Sequence, residues 1–345
     1  MGGYERQSIR TEQSVCAEEQ MQTEKDRTIR LRRRTDANGK RQIKPSAQKN
    51  RCSREGKESY MAQMQQNETW TTVIVPEARL GKKDFQELWQ YRELIRMFVK
   101  RDFVTRYAQT ALGPLWYILT AILSSSVLTV VFGRIAGIST DGAPQFLFYM
   151  SGNILWSCFS GCVSEVSSTF TSNARLMGKV YFPRLCVPMA AVLSRQIQFL
   201  VQFAVFFVCY LWGTWGGAVP VFRLSMLLTP LLMLQVMALA LGCGIIIASL
   251  TTRYRDLGVL VTFGLQLWMY ATPVVYPASQ IPGGLQWLMM LNPMAPVVET
   301  FRWIWLGAGQ VTFLQAGTGL GITILILAVG LVIFQKAQRS FMDTI

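Results

Sequence analysis

The chain has 345 residues, is 51% hydrophobic and only 16% charged, and combines a formal net charge of +14 with a mean hydropathy of +0.26. It contains no histidine, which excludes His-based triads, imidazole metal sites and histidine proton relays. Its seven cysteines form no C-x-x-C pair and five lie in or beside apolar stretches, so they read as small apolar packing residues rather than metal ligands or a disulfide framework.

Residues 1–60 hold 15 Lys/Arg and 9 Asp/Glu, include the run Arg32, Arg33, Arg34, and offer few apolar residues from which to build a core. No apolar stretch follows the basic residues as a secretory signal requires. Residues 1–75 are expected to form a disordered basic tail, and native translation is expected to begin at Met61, close to where coherent patterning starts.

From Asp84 to Val99 the apolar residues Phe85, Leu88, Trp89, Ile95 and Val99 recur at helical spacing with Glu87, Arg92, Glu93 and Arg96 between them. This predicts an amphipathic interface helix, within a segment 80–106, that is too charged to span a bilayer. It serves either as a membrane-surface anchor or as a docking element for a cytoplasmic partner. Gly113 and Pro114 then open the first span, where proline suits a first helical turn.

Six stretches contain no charged residue: 107–133, 142–164, 196–222, 224–252, 257–298 and 303–335. Each is long enough to cross a hydrocarbon core of about 30 Å at about 1.5 Å per residue. They predict an all-α polytopic membrane protein, its transmembrane permease domain covering 107–340. The six transmembrane helices are expected at 112–133, 144–165, 187–212, 224–250, 257–276 and 314–335. Of the Lys/Arg beyond residue 60, fifteen fall on one side of these spans and Arg134, Arg223 and Arg302 on the other, with Arg195 inside the third span. The positive-inside rule then places both termini in the cytoplasm, and it accounts for the basic excess without invoking nucleic acid.

Between spans five and six, Pro277, Pro282, Pro293 and Pro296 cut an apolar segment into pieces too short to cross. Irregular backbone in lipid must be shielded by protein or face water, so a re-entrant outer hairpin is expected over 277–302.

The residues that would carry enzyme chemistry are missing from this pattern. Asp102, Asp141, Glu165, Asp256, Glu299 and Asp343 are isolated carboxylates with no paired acid, which counts against a membrane glycosyltransferase. No G-x-x-x-x-G-K-[ST] occurs, so the chain has no P-loop with which to bind ATP. The spans hold little ionisable beyond Arg195, unlike ion-coupled carriers, so the energy for uphill transport is expected from a partner.

What remains is aromatic and basic. Trp116, Tyr117, Trp156, Phe159, Trp268 and Tyr270 are candidate passage-lining residues whose faces suit the apolar C–H faces of sugar rings, although each would serve equally in helix packing or an interfacial belt. Arg195, Gln198 and Gln202 share one helix face in span three. They read either as interhelical glue or as a stripe facing the passage, with the guanidinium fork holding the phosphate of a lipid-linked substrate.

The order of short motifs resembles a known family. Trp89, Tyr91, Arg92 with Leu94, Lys100 to Asp102, Arg106-Tyr107, Leu112-Gly113 with Trp116, and Val131-Phe132-Gly133 are similar to type 2 ABC-export permeases. Gly152 with Trp156, Phe182-Pro183-Arg184 with Pro188, Tyr254-Arg255-Asp256, Thr272-Pro273 with Tyr276-Pro277, and Asn292-Pro293 continue the similarity over about residues 80–340. The branch it resembles handles polysaccharide and polyol-phosphate: O antigen, capsule or teichoic acid.

The resemblance implies a bacterial inner-membrane permease, itself not an enzyme and binding no cofactor, that exports lipid-linked polysaccharide. Two copies would pair with two copies of a separate ATPase that holds ATP and Mg, and the outer hairpin would act as a gate. The segments expected to dock the ATPase carry Phe85, Leu88, Trp89, Arg92, Arg101 and Arg106; Arg175, Lys179 and Arg184; and Arg253, Arg255 and Asp256. Rival readings are a drug or small-lipid permease of the same family, an ATPase-independent glycolipid flippase, and a purely structural membrane anchor.

Overall fold

The computed structural model describes residues 88–107, 110, 112–173, 182–217, 223–251, 256–282, 284, 286–309 and 311–341. Within them the chain is helical throughout, with no strand. The helices are α1 (Arg92–Tyr107), α2 (Leu115–Leu128), α3 (Gln145–Ser172), α4 (Cys186–Trp215), α5 (Thr229–Thr251), α6 (Leu257–Ala271), α7 (Gln286–Leu291), α8 (Met294–Leu306) and α9 (Phe313–Phe341). The tail, the Met61 start, and the docking candidates Phe85, Arg175, Lys179, Arg253 and Arg255 lie outside the described residues.

Five helical segments are long and apolar enough to cross a membrane: Leu115–Ile135, Gln145–Ser172, Cys186–Trp215, Leu224–Thr251 and Phe313–Lys336. The first extends α2 through a π-helical turn at Thr129–Ile135, and the fourth includes a 3-10 turn at Leu224–Leu228 that leads into α5. The expected fifth span over 257–276 is shorter than its charge-free stretch suggests. Helix α6 has 15 residues and ends at Ala271, a rise of about 22 Å against a core of about 30 Å. It ends there because Pro273 disfavours helical backbone at the residue before it, and Thr272 is extended at φ −101°, ψ 143°.

Helix α3 is the axis of the bundle: 17 of its 28 residues are buried, and it packs against α2, α4, α5, α6 and α8. Glycines let the central backbones approach. A Cβ on Gly242 of α5 would lie 2.8 Å from the Leu327 Cα of α9, and one on Gly330 of α9 would lie 2.8 Å from the Gly242 carbonyl oxygen. Dispersion contact replaces the hydrophobic drive that lipid cannot supply between such helices.

An apolar side of α1 and of the residues just before it packs on the start of α4. Leu88, Tyr91, Leu94, Ile95 and Val99 pack around Phe98, Phe182, Cys186, Val187 and Ala190, with the Phe98 and Phe182 rings 5.8 Å apart. Trp89, expected on that face, is 70% exposed.

The segment between α6 and α9 is broken as expected, into a 3-10 turn at Ala278–Gln280, the six residues of α7 and the 13 of α8. Eleven residues of α8 are buried. It packs among the N-terminal halves of α3, α5 and α9 and the C-terminal half of α4, so all its neighbours belong to one end of the bundle. Arg302, counted above as an outer-loop charge, is instead fully buried.

Candidate functional site

Two charged centres sit at opposite ends of α3. The first gathers Arg106 from α1, Tyr117 from α2, Glu165 from α3 and Arg195 with Gln198 from α4. Arg106 donates Nη2 to Glu165 Oε1, and Arg195 Nη2 lies 2.8 Å from the same oxygen. Arg195 Nη1 donates to Gln198 Oε1 at 2.6 Å, and Arg106 Nη1 donates to the Tyr117 hydroxyl at 3.4 Å. Side-chain exposure is 33% for Arg106, 20% for Glu165 and 22% for Arg195, so the junction is largely but not wholly shielded.

Two guanidinium groups share one carboxylate, which leaves a surplus of one positive charge. The Tyr107 hydroxyl and Arg195 Nε are buried there without a hydrogen-bond partner. Burial by itself disfavours the Arg106 cation, but the Tyr117 hydrogen bond and the Glu165 charge outweigh it, and the Arg106 pKa stands above its ordinary value. Gly161 makes room for the junction: an added Cβ would lie 3.2 Å from Arg195 Nη1.

The polar stripe on α4 therefore faces into the bundle. Arg195 and Gln198 are half-buried against α3, and Gln202 is 3% exposed with Oε1 unpartnered. Of the stripe, Arg195 bonds another helix, through Glu165, an acid that stands isolated in the sequence.

The second centre is the Glu299–Arg302 pair on α8. Arg302 donates to the carbonyl oxygens of Pro273 at 2.5 Å, Val274 at 2.7 Å and Phe148 at 3.4 Å. It also donates to Glu299 Oε1 at 3.4 Å, and its guanidinium lies 3.6 Å from the centre of the Phe148 ring. Glu299 in turn accepts from the Ala278 amide at 3.4 Å. Beside this pair Asn292 donates to the Ala271 carbonyl and to Thr272 Oγ1, and accepts from the Trp268 indole at 3.2 Å. The signal available in the sequence was an acid and a base three residues apart in an apolar segment that begins with Pro293 and Pro296.

The aromatic candidates divide. Trp156 and Phe159 are 5% and 0% exposed, and both pack their rings against Trp268, so within this chain they sit in the core. The reason is their place on α3, which neighbours surround. Tyr117 is also buried and is held by Arg106. Trp116 at 53% and Tyr270 at 60% remain on exposed faces of α2 and α6, which bury three and one of their residues. Of the docking candidates, Trp89, Arg92, Arg101 and Asp256 are exposed, whereas Leu88, Arg106 and Arg184 are half-buried. Among the described residues no group of three or more potential metal ligands occurs.

Residues 93–306 match the ABC-2 type transporter family. The chain is similar to an O-antigen export system permease protein RfbA of Klebsiella pneumoniae, 24% identical over 257 residues that cover 73% of this chain and 94% of the relative. It is 29% identical to the RfbA permease of Myxococcus xanthus over 224 residues, 63% of this chain and 82% of that one. A capsule polysaccharide export inner-membrane protein CtrC of Neisseria meningitidis is 23% identical over 270 residues, 76% of this chain and 97% of the relative.

Proposed function

The chain belongs to the ABC-2 type transporter family as a permease subunit, and we propose that it exports an O-antigen- or capsule-like polysaccharide on a lipid carrier, driven by a separate ATPase. The observation that carries this reading is the alignment of nearly the whole length of O-antigen and capsule export permeases onto about three quarters of this chain, together with the family match over residues 93–306. A polyhydroxylated chain cannot shed its water into hydrocarbon, because each unpaired hydroxyl is costly there, so it needs a lined passage.

In this reading α6 crosses as a sixth, short span, capped by the α7–α8 hairpin at the outer side, and both chain ends lie in the cytoplasm of a bacterial inner membrane. The charge asymmetry supports that orientation. The exposed side of α1, with Trp89, Arg92 and Arg101, faces the ATPase, which supplies ATP and Mg chemistry from its own site. A second copy of the permease completes the passage, with Trp116 and Tyr270 on the faces turned toward it.

The surplus positive charge of the Arg106–Glu165–Arg195 junction is where a carrier phosphate is received: the phosphate competes with Glu165 for Arg195, and the guanidinium fork matches its oxygens. The test is deletion of the gene followed by analysis of cell extracts. Lipid-linked glycan accumulates inside while surface glycan is lost, and the wild-type chain restores display. Unchanged surface glycan after deletion overturns the proposal.

A further inference from the structure

The α6–α8 segment is held in a way that a swinging gate is not. Helix α6 stops at Ala271 inside an apolar bundle, so its last carbonyls, and those of the break that follows, have no helical partners. Thr272 and Tyr276 bond the carbonyls of Trp268, Met269 and Tyr270, and side chains of the returning arm supply the rest of the turn. Asn292 caps Ala271, and the single guanidinium of Arg302 takes Pro273, Val274 and, on α3, Phe148. Moving α8 away would bare the Pro273 and Val274 carbonyls and strip a fully buried cation of those acceptors and of the Phe148 ring, and each such loss is expensive in a low-dielectric interior.

The surrounding backbone is shaped to this fit. An added Cβ on Gly152 would lie 2.8 Å from Arg302 Nη2, and Gly309, at φ +125°, brings its Cα close to the Glu299 carbonyl. Farther along α8, Trp305 donates its indole N–H to Thr229 Oγ1 at 3.1 Å. By contrast, the outermost contact of the hairpin, from the Ser279 hydroxyl to the Asp141 carboxylate, is exposed and releases at little cost.

We propose that Glu299 and Arg302 are positioning residues that lock α8 and the break at 272–278 into a fixed wall of the passage, so that α8 stays seated on α3 and α9 while substrate passes. The inference rests on the export reading. It departs from a hinged hairpin: only the tip around Ser279 moves.

Two measurements test it in cells that depend on this chain for export, with native cysteines replaced. In the first, Pro296→Cys and Gly319→Cys are combined, since a Cβ on Gly319 would lie 3.5 Å from Pro296 Cβ, within disulfide reach. The pair is expected to oxidise, and the cross-linked protein to export at the rate of its reduced form. Export that stops on oxidation and returns with reductant overturns the proposal, as does a pair that is present in the membrane but does not oxidise.

In the second, Val274→Cys, at a position with no exposed surface, is expected to resist a membrane-impermeant maleimide during active export. Adding Arg302→Gln is expected to raise its labelling about tenfold, equivalent to about 1.4 kcal/mol of lost closure. Arg302→Lys, which keeps a donor cation, is expected to label less than Arg302→Gln. Labelling of Val274→Cys with Arg302 intact, or none with Arg302→Gln, contradicts the lock. If the wild-type chain fails to restore glycan display, the export reading fails, whereas the labelling comparison still judges Arg302.

Discussion

Removing the Glu165 carboxylate puts the charge arrangement of the junction to a graded test. With Arg106 and Arg195 both on Glu165 Oε1, the native junction carries +1. Glu165→Gln raises it to +2, Arg195→Gln takes it to 0, and the double variant returns it to +1. One ion pair at about 4 Å is worth about 4 kcal/mol of Coulomb energy at an effective dielectric near 20, much of it offset by desolvation and by the partial exposure of these groups.

A net loss of about 2 kcal/mol for Glu165→Gln follows, because two attractions vanish and a cation–cation repulsion is uncovered. For Arg195→Gln, which leaves the Arg106–Glu165 pair intact, the loss is about 1 kcal/mol. The assay is the unfolding midpoint of the purified protein in detergent, expected to fall by about 5 °C for Glu165→Gln and by about half that for Arg195→Gln. The double variant is expected to be more stable than Glu165→Gln alone, since it removes the repulsion. Greater damage from Arg195→Gln than from Glu165→Gln, or a double variant less stable than Glu165→Gln, refutes the charge reasoning.

Other consequences follow from the same geometry. Because Arg195→Gln costs little stability yet removes the fork, it is expected to accumulate and bind the ATPase normally while glycan export falls strongly, with Arg195→Lys retaining part; normal export with Arg195→Gln rejects the phosphate role. Gly330→Leu drives a side chain into the Gly242 backbone, and a cost of about 2–3 kcal/mol is expected, read as reduced accumulation in the membrane. A photo-crosslinking residue at Trp89 or Arg92 is expected to capture the ATPase, and its absence from both positions contradicts docking on the exposed side of α1. A single cysteine at Gly284, with native cysteines replaced, is expected to react with an impermeant reagent from outside and one at Lys336 is not; the reverse pattern excludes the six-span orientation.

The charge-free stretches made the spans legible because a membrane penalises charge at every residue, a one-dimensional constraint that sequence displays directly. The break of the chain after α6 was legible from its prolines for a similar reason. What lay beyond reach depended on which neighbours surround a helix. Trp116 and Trp156 look alike in sequence, yet α2 lies at the edge of the bundle and α3 at its axis, so one is exposed and the other is in the core. Glu165 and Arg195 are 30 residues apart and meet only because α3 and α4 pack side by side. Arg302 was misassigned because a lone arginine between apolar segments has the pattern of a loop charge. Its partners are backbone carbonyls, which leave no compositional trace. The length of α6 failed for a local reason that was present, since Thr272-Pro273 marked the stop inside a longer apolar run.

The central claim, ATP-driven export of a lipid-linked glycan by a permease with a separate ATPase, is tested most directly in reconstituted vesicles. The chain and its co-purified ATPase are incorporated into liposomes carrying labelled lipid-linked glycan, and transfer across the bilayer is followed by protection from an added glycosidase. Transfer is expected only when the chain, the ATPase and hydrolysable ATP are all present. Transfer by the chain alone without ATP contradicts the account and identifies a passive flippase.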